Sequence, residues 1–564
     1  MYKDEYNFWL NSDYFDEATK KELRAIAGDE KEIEDRFYKE LEFGTGGLRG
    51  KIGAGTNRMN IYTVRKATQG LADYITSLGE DYKARGVVIA HDSRHGSREF
   101  ALESAGVLNA NGIKAYVFDG LRPTPELSFA VRKLKAAAGI VITASHNPPQ
   151  YNGYKVYLED GGQAVSPYVN EIMERIKKIK DITAIKVMEE KEAREKGLFV
   201  ILDKSIDDQY VDMVKSQVLN PQLLKEKGGE LSIIYTPLHG TGNVPVRRVL
   251  KELGFTDVRV VPQQEVPDPD FSTVRSPNPE EHDAFELALS MAKERGADII
   301  LGTDPDSDRV GVIVRDRQGQ YVALTGHQQG ILLTYYILSQ LKERGQIPKN
   351  GVVIKTIATT DMLEPIAKDF GVEVENTLIG FKFIGEKIKE YESTGKEFVF
   401  GFEESYGYLR GTQVRDKDGV IASALFSEMA LYYKMKGMTL LDVMEELYKK
   451  YGYYTEYLKS IVMEGKEGME RINGIMSKLR EMDIKDFAGY EVEWRDDYLT
   501  GQARLRLPKS NVLRYNFKGG GYLLVRPSGT EPKIKIYISA VDSSKEKSEE
   551  KVNKIKDAIL DLVK

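Results

Sequence analysis

From Gly44 onward, short apolar runs alternate with amphipathic stretches, and in three places an apolar run breaks directly into a polar loop. Runs such as 86–90 (GVVIA), 114–118 (KAYVF) and 138–143 (AGIVIT) have no polar face. Strands of this kind sit in sheets covered on both sides, and with helical stretches between them they predict βαβ units. A second set follows at 231–235, 257–261, 297–302 and 310–315, with helices at 243–253 and 279–295. A third set has strands 351–356 and 397–400 among helices 326–344, 360–370, 381–392 and 418–436. The tail differs in kind. A helix at 439–451 and a charged connector to about 485 precede segments 490–495, 501–507, 512–517 and 521–526, which read as antiparallel, and a helix at 543–563. The fold class is α/β: three successive mixed-sheet domains and a smaller C-terminal α+β domain. At about 150 residues per domain, 564 residues divide into roughly four. The boundaries fall at 1–205, with a helical cap over 1–40, then 206–320, 321–450 and 451–564. The cap is expected to bury Phe8, Leu10, Leu23, Ile26, Ile33 and Phe37 on one face.

Charge narrows the partners. With 81 Lys+Arg against 87 Asp+Glu the chain is slightly acidic, which argues against binding nucleic acid, whose phosphates need clustered positive charge. No cysteine is present, so disulfides, thiolate metal sites and cysteine nucleophiles are excluded. The N-terminus has no basic segment followed by an apolar run, and no apolar stretch approaches the roughly 18 residues of a membrane span. A soluble, cytoplasmic protein acting on small molecules is expected.

In open α/β sheets ligands gather at the carboxyl ends of strands, so the loops there are the candidates for chemistry. In TDPDSDR, 303–309, Asp304, Asp306 and Asp308 alternate and can converge on one hard cation. Counted from Asp304, an EF-hand would need Gly at Arg309 and Glu at Arg315. Carboxylates without neutral ligands fit magnesium open towards a phosphate, and Arg309 offers that phosphate a two-pronged donor. An Asp-x-Asp phosphatase loop and a solvated acidic turn are the competing readings. In TASHNP, 143–148, Ser145 lacks the Gly-x-Ser-x-Gly elbow of the α/β-hydrolases; Thr143, His146 and Asn147 crowd its hydroxyl, which is expected to be exposed on a short loop. Lys155, in YNGYKVY, is within reach of the same place. The alternative is a structural turn at a strand end.

In GFEES, 401–405, Glu403 and Ser405 would point to one side of an extended loop, a pairing suited to neighbouring sugar hydroxyls. Alone, this is equally an acidic surface turn. Lys382 follows the flexible Gly380 nearby. In RPSGTEPK, 526–533, Arg526, Ser528, Gly529, Thr530 and Lys533 combine cations, hydroxyls and free backbone amides into an anion nest, unless the segment is only a Pro-Gly hairpin. The glycine-rich FGTGGLRGK, 43–51, brings Arg49 but is no Walker loop, since Ile52 stands where Ser or Thr belongs.

These four loops, in this order from Gly44 to about Ala540, resemble the α-D-phosphohexomutase superfamily, most closely its phosphoglucomutase branch. The resemblance implies four domains around a central cleft and a phosphorylated Ser145. It implies one magnesium per site, held by Asp304, Asp306 and Asp308 with Ser145. Arg49, Lys155 and Arg309 would lie near the transferred phosphoryl group, with Lys155 and His146 as candidates for general base. Glu403 and Ser405 would hold the sugar, and the 526–533 loop its non-reacting phosphate. The implied reaction interconverts glucose 1-phosphate and glucose 6-phosphate, with glucose 1,6-bisphosphate as intermediate and activator. Phosphopentomutases, phosphomannomutases and glucose 1,6-bisphosphate synthases of the superfamily are the alternatives, though the Gly-Glu-Met-Ser-Gly loop usual in phosphomannomutases is absent. A magnesium phosphatase with Asp304 as nucleophile would leave Ser145 idle, and a phosphosugar sensor would need neither Ser145 nor three aspartates. Oligomeric state is not encoded in any of these motifs.

Overall fold

Two compact units make up the computed structural model, which describes every residue except Met1, Thr45, Gly46, Glu464, 529–532 and Lys564. The first comprises Met1–Ala323, Gly385–Glu390 and Gly407–Tyr432; the second comprises Leu324–Ile384, Tyr391–Tyr406 and Tyr433–Lys564.

The first unit is built on two sheets. Four parallel strands, Ala138–Ile142, Val87–His91, Ala115–Phe118 and Phe199–Leu202, lie side by side in that order. Every residue of Val87–His91 and Ala138–Ile142 is buried, as continuous apolar runs require. Two antiparallel strands, Tyr151–Leu158 and Gly47–Lys51, extend the sheet beyond Ala138–Ile142. Both came as additions to the expected strands, because their glycines and polar residues read as loop. Gly153 is obligatory there: a Cβ would stand 2.5 Å from the Thr143 carbonyl oxygen and 2.9 Å from that of Leu48. The second sheet runs Tyr321–Ala323, Val310–Arg315, Ile299–Thr303, Ile233–Thr236, Val258–Val260, the last three parallel. The N-terminal helices Tyr2–Asn11, Glu17–Ala25 and Glu30–Phe37 bury Trp9 against Phe15, with ring centroids 4.3 Å apart. Leu23, Ile33 and Phe37 are buried as expected; Phe8 is instead 41% exposed, because Tyr6 and Trp9 take the inward face of the first helix.

In the second unit, Glu373–Thr377, Gly351–Thr356 and Glu397–Glu403 form parallel neighbours. The last is longer than expected: Gly401 and Phe402 stay in the strand because they pair with Ile354 and Lys355. The C-terminal sheet is ordered Tyr453–Val462, Lys533–Asp542, Tyr522–Pro527, Leu513–Phe517, Tyr490–Asp497, Asp486–Phe487, antiparallel throughout. The charged stretch after 451 is therefore no connector. Tyr453–Val462 is a half-exposed edge strand, and the helix Gly465–Glu481 buries Ile472, Met476 and Leu479 under the sheet. Residues 501–507 form no strand; the Asp496 carboxylate accepts from the Arg504 amide and holds them as a loop. Helix Lys545–Val563 closes the chain. No described helix is long and apolar enough to cross a membrane.

Candidate active site

Two strand ends meet in the first unit. Ala138–Ile142 delivers 143–148, and Ile299–Thr303 delivers 304–309. Ser145 adopts φ +53°, a left-handed conformation that costs a residue with a Cβ, and its amide donates to Thr143 Oγ1 at 2.8 Å. Its hydroxyl is buried rather than exposed, 2.6 Å from Asp304 Oδ2 and 3.1 Å from His146 Nδ1. Asp304, Asp306 and Asp308 are all buried, and one carboxylate oxygen of each lies within 4.8 Å of the others.

Lys155, Lys417 and Arg309 border the aspartates. Antiparallel pairing sets Lys155 opposite Val141, and its Nζ reaches Asp306 Oδ2 at 2.8 Å and Asp308 Oδ2 at 3.5 Å. Lys417 approaches Asp308 Oδ2 at 3.1 Å. The Arg309 amide donates to Asp304 Oδ1 at 3.1 Å, while its guanidinium pairs with Glu280. Burial, reinforced by the charges of Asp306 and Asp308, pushes the Asp304 carboxyl well above the usual carboxylate range. Burial acts the same way on Asp306, but Lys155 and Lys417 overcome it and hold that carboxyl low. Burial, with Arg309 and Arg49 nearby, drives His146 well below its ordinary value, so its imidazole is neutral. Arg49 donates to Asn147 Oδ1 at 3.1 Å.

The cluster suits a small hard cation. Asp306 Oδ1 and Asp308 Oδ1 are buried without any hydrogen-bond partner, which is costly unless something positive fills the space between them. An all-oxygen donor set fits magnesium chemistry.

Glu403, Ser405, Lys382 and the 526–533 segment belong to the second unit. Glu403 is buried at the end of its strand, and Ser405 lies two residues on, before Tyr406 at φ +64°. Between them Glu404 turns inward, its Oε2 accepting from Thr356 Oγ1 (2.9 Å) and Thr359 Oγ1 (3.1 Å). Lys382 opens the helix Phe381–Thr394, its ammonium 5.0 Å from the Phe383 ring centroid. Arg526 reaches Tyr537 Oη at 3.4 Å, and the Ser528 amide donates to the Lys533 carbonyl at 2.7 Å. Gly529 and Thr530 lie outside the described residues.

Sequence reasoning missed three residues that support the first cluster. Thr124 donates from both its amide and its hydroxyl to Asp306, each at 2.9 Å. Lys417 lay in view inside VRDKDG, 414–419, where a lysine between two aspartates was a signal. Arg94, just after an apolar strand, had the same polar-loop signature as Ser145.

Residues 40–183, 208–319 and 325–451 match α/β/α domains I, II and III of phosphoglucomutase/phosphomannomutase, and 458–561 match its C-terminal domain. A phosphoglucomutase of Staphylococcus haemolyticus (strain JCSC1435) is 39% identical over 533 residues, spanning 93% of this chain and 94% of its own. One from Staphylococcus aureus (strain USA300) is 38% identical over 521 residues, spanning 90% and 91%. Among solved structures, a putative phosphomannomutase from Thermus thermophilus shares the fold at TM-score 0.69 and 24% identity, over 93% of this chain and 99% of that one. The Paramecium phosphoglucomutase parafusin, in its open form, does so at TM-score 0.66 and 18% identity, over 93% and 95%. With all four domains matched in order and relatives aligned along nine-tenths of its length, this chain belongs to the phosphoglucomutase/phosphomannomutase family of α-D-phosphohexomutases.

Proposed function

We propose that the chain is a phosphoglucomutase, an isomerase that interconverts α-D-glucose 1-phosphate and glucose 6-phosphate through phosphorylated Ser145 and glucose 1,6-bisphosphate. The observation that carries this reading is the Ser145 hydroxyl 2.6 Å from Asp304, inside a buried three-carboxylate cluster flanked by Lys155. The relatives bearing the phosphoglucomutase name support the choice of sugar.

Phosphoryl transfer asks a protein mainly for positioning and charge neutralisation. The 6-hydroxyl of glucose 1-phosphate attacks the phosphorus on Ser145, the serine oxygen leaves, and the bisphosphate then returns its 1-phosphoryl group to the same oxygen. Of the two candidates for general base, we assign the attacking hydroxyl's proton to His146, because Asp306 and Asp308 keep Lys155 an ammonium with no lone pair to offer. Lys155, Arg309 and Arg49 are assigned to the charge on the moving group. Asp304, Asp306 and Asp308, with the serine's phosphate, would hold magnesium, which when bound neutralises the phosphoryl oxygens. Glu403, Ser405 and Lys382 are assigned to the sugar hydroxyls, and Arg526, Ser528, Gly529, Thr530 and Lys533 to the non-reacting phosphate. The phosphatase alternative fits poorly, since Asp304 Oδ1 accepts from the Arg309 amide and Oδ2 is engaged by Ser145. We place the domain boundaries near 205, 320 and 450 and the enzyme in the cytoplasm.

A panel of glucose, mannose, glucosamine, ribose and deoxyribose 1-phosphates, each assayed with a trace of its bisphosphate, tests the substrate. Glucose 1-phosphate should give the highest kcat/KM, with one removable phosphate on Ser145 by intact-mass spectrometry. Steady release of inorganic phosphate instead of isomer would overturn the proposal.

A further inference from the structure

The Arg94 side chain is wholly buried just beyond the strand Val87–His91. Its guanidinium donates to four backbone carbonyls, all on the segment that carries the nucleophile. Nη2 reaches Ser145 O at 2.6 Å and also Asn147 O; Nη1 reaches Pro148 O at 2.9 Å and Tyr151 O at 3.1 Å. Nε faces Asp92 Oδ2 at 3.2 Å, and the Phe271 ring lies 4.8 Å from the guanidinium carbon. Asp92 is itself fixed, its Oδ1 accepting from the Arg94 amide (3.0 Å) and from Ser97 Oγ (2.7 Å).

A buried cation is costly, and this one directs its hydrogen bonds to neutral carbonyls. Only a planar five-donor fork can bind four of them at once; an ammonium has three donors and no plane. What the fork holds is a left-handed Ser145, whose backbone direction decides where Oγ points. We propose that Arg94 is a positioning residue for the reaction: it locks the 145–151 backbone so that Oγ stays aimed at Asp304, while touching neither substrate nor metal. This inference rests on the mutase reading for its kinetic consequence, though not for its structural one.

Arg94→Lys keeps the charge and removes the fork. Misplacing a reacting atom by about 1 Å can cost about 100-fold in rate. We therefore expect kcat to fall about 100-fold, with KM for glucose 1-phosphate nearly unchanged because no residue assigned to the sugar or to the non-reacting phosphate is altered. By hydrogen exchange, amides of 144–151 should exchange at least about tenfold faster than in wild type, with the strand Ala138–Ile142 unaltered. Asp92→Asn, which keeps the guanidinium but loosens its anchor, should shift both readouts the same way by less, and it carries the test if Arg94→Lys does not fold. Unchanged loop exchange, or unchanged kcat in a variant that is merely less stable, overturns the proposal. If wild type itself neither turned over nor carried phosphate, the mutase reading would fail, and hydrogen exchange would still judge the clamp.

Discussion

Lys155→Met tests whether the cation beside the aspartates serves charge balance, chemistry or both. The side chain is 12% exposed, its Nζ 2.8 Å from Asp306 and 3.5 Å from Asp308. Methionine keeps the apolar stem and deletes the charge. Without metal, three buried carboxylates would then have one fewer cation against them, with Lys417 and Arg309 still alongside. Removing one partner of a buried pair typically costs about 3–5 kcal/mol, because the remaining charge must stay buried or take up a proton. Magnesium supplies the missing charge, and any ligand bound only by the folded state adds stability as RT ln(1 + [L]/Kd). The stability loss should thus be large in EDTA and mostly recovered in saturating magnesium. Turnover should not recover. A preorganised donor aimed at developing charge is worth about 10²–10³ in kcat, and magnesium, already called on by the wild type, would not replace it. Urea unfolding in the two media, beside turnover of glucose 1-phosphate with its bisphosphate, reads both effects. Equal destabilisation in EDTA and magnesium, or full turnover in the variant, would refute the reasoning.

Ser145→Ala should abolish turnover and leave no phosphate on the protein by intact mass; stripping Asp304 of its hydroxyl partner should cost about 1–3 kcal/mol without unfolding it. Glu403→Gln should lower kcat/KM for glucose 1-phosphate at least about tenfold, through loss of charged hydrogen bonds, and reorder a panel of sugar phosphates, whereas Arg526→Ala should weaken all of them without reordering; the opposite pattern would reverse the two assignments. Asp361 gives a pH signature: burial favours its neutral form, but Arg514 at 2.8 Å and Lys355 at 3.0 Å hold its carboxyl down at about 2. A depressed carboxyl stabilises the fold above its ordinary value near 3.8 and loses that contribution as pH falls towards the folded value. The stability gap between wild type and Asp361→Asn should narrow by about 2 kcal/mol between pH 5 and pH 2, and a gap independent of pH would remove Asp361 from that role.

The parallel cores were legible because burial on both faces writes an unbroken apolar run, as in Val87–His91 and Ala138–Ile142. Strands with polar or edge positions were legible only in part: the edge strand at 257–261 and the half-exposed one at 490–495 were expected, others were not. Tyr453–Val462 is half exposed along its length, and Lys533–Asp542, the neighbour of two strands in its sheet, begins Lys-Ile-Lys and merges with the anion-nest motif before it. Phe8 shows the same limit at one residue, since a helix with aromatic side chains on two faces does not declare which one faces inward.

The site divides along the same line. Residues to which we assign chemistry of their own sat in dense clusters of alternating carboxylates or hydroxyls, and the clusters announced themselves. Residues that act through backbone atoms did not, because their partners are invisible in a sequence. Arg94 is 51 residues from Ser145 and meets it through a carbonyl; Thr124 is 182 residues from Asp306 and meets it through both its amide and its hydroxyl. Glu404 sits between two residues read as sugar ligands, yet turns to two threonines instead. Glu403 is the last residue of its strand and Glu404 the first of the turn, and the buried pair of threonine hydroxyls marks Glu404 as the structural one. A strongly polar motif therefore marks where a site is, while the partition within it between groups that react and groups that hold requires the fold.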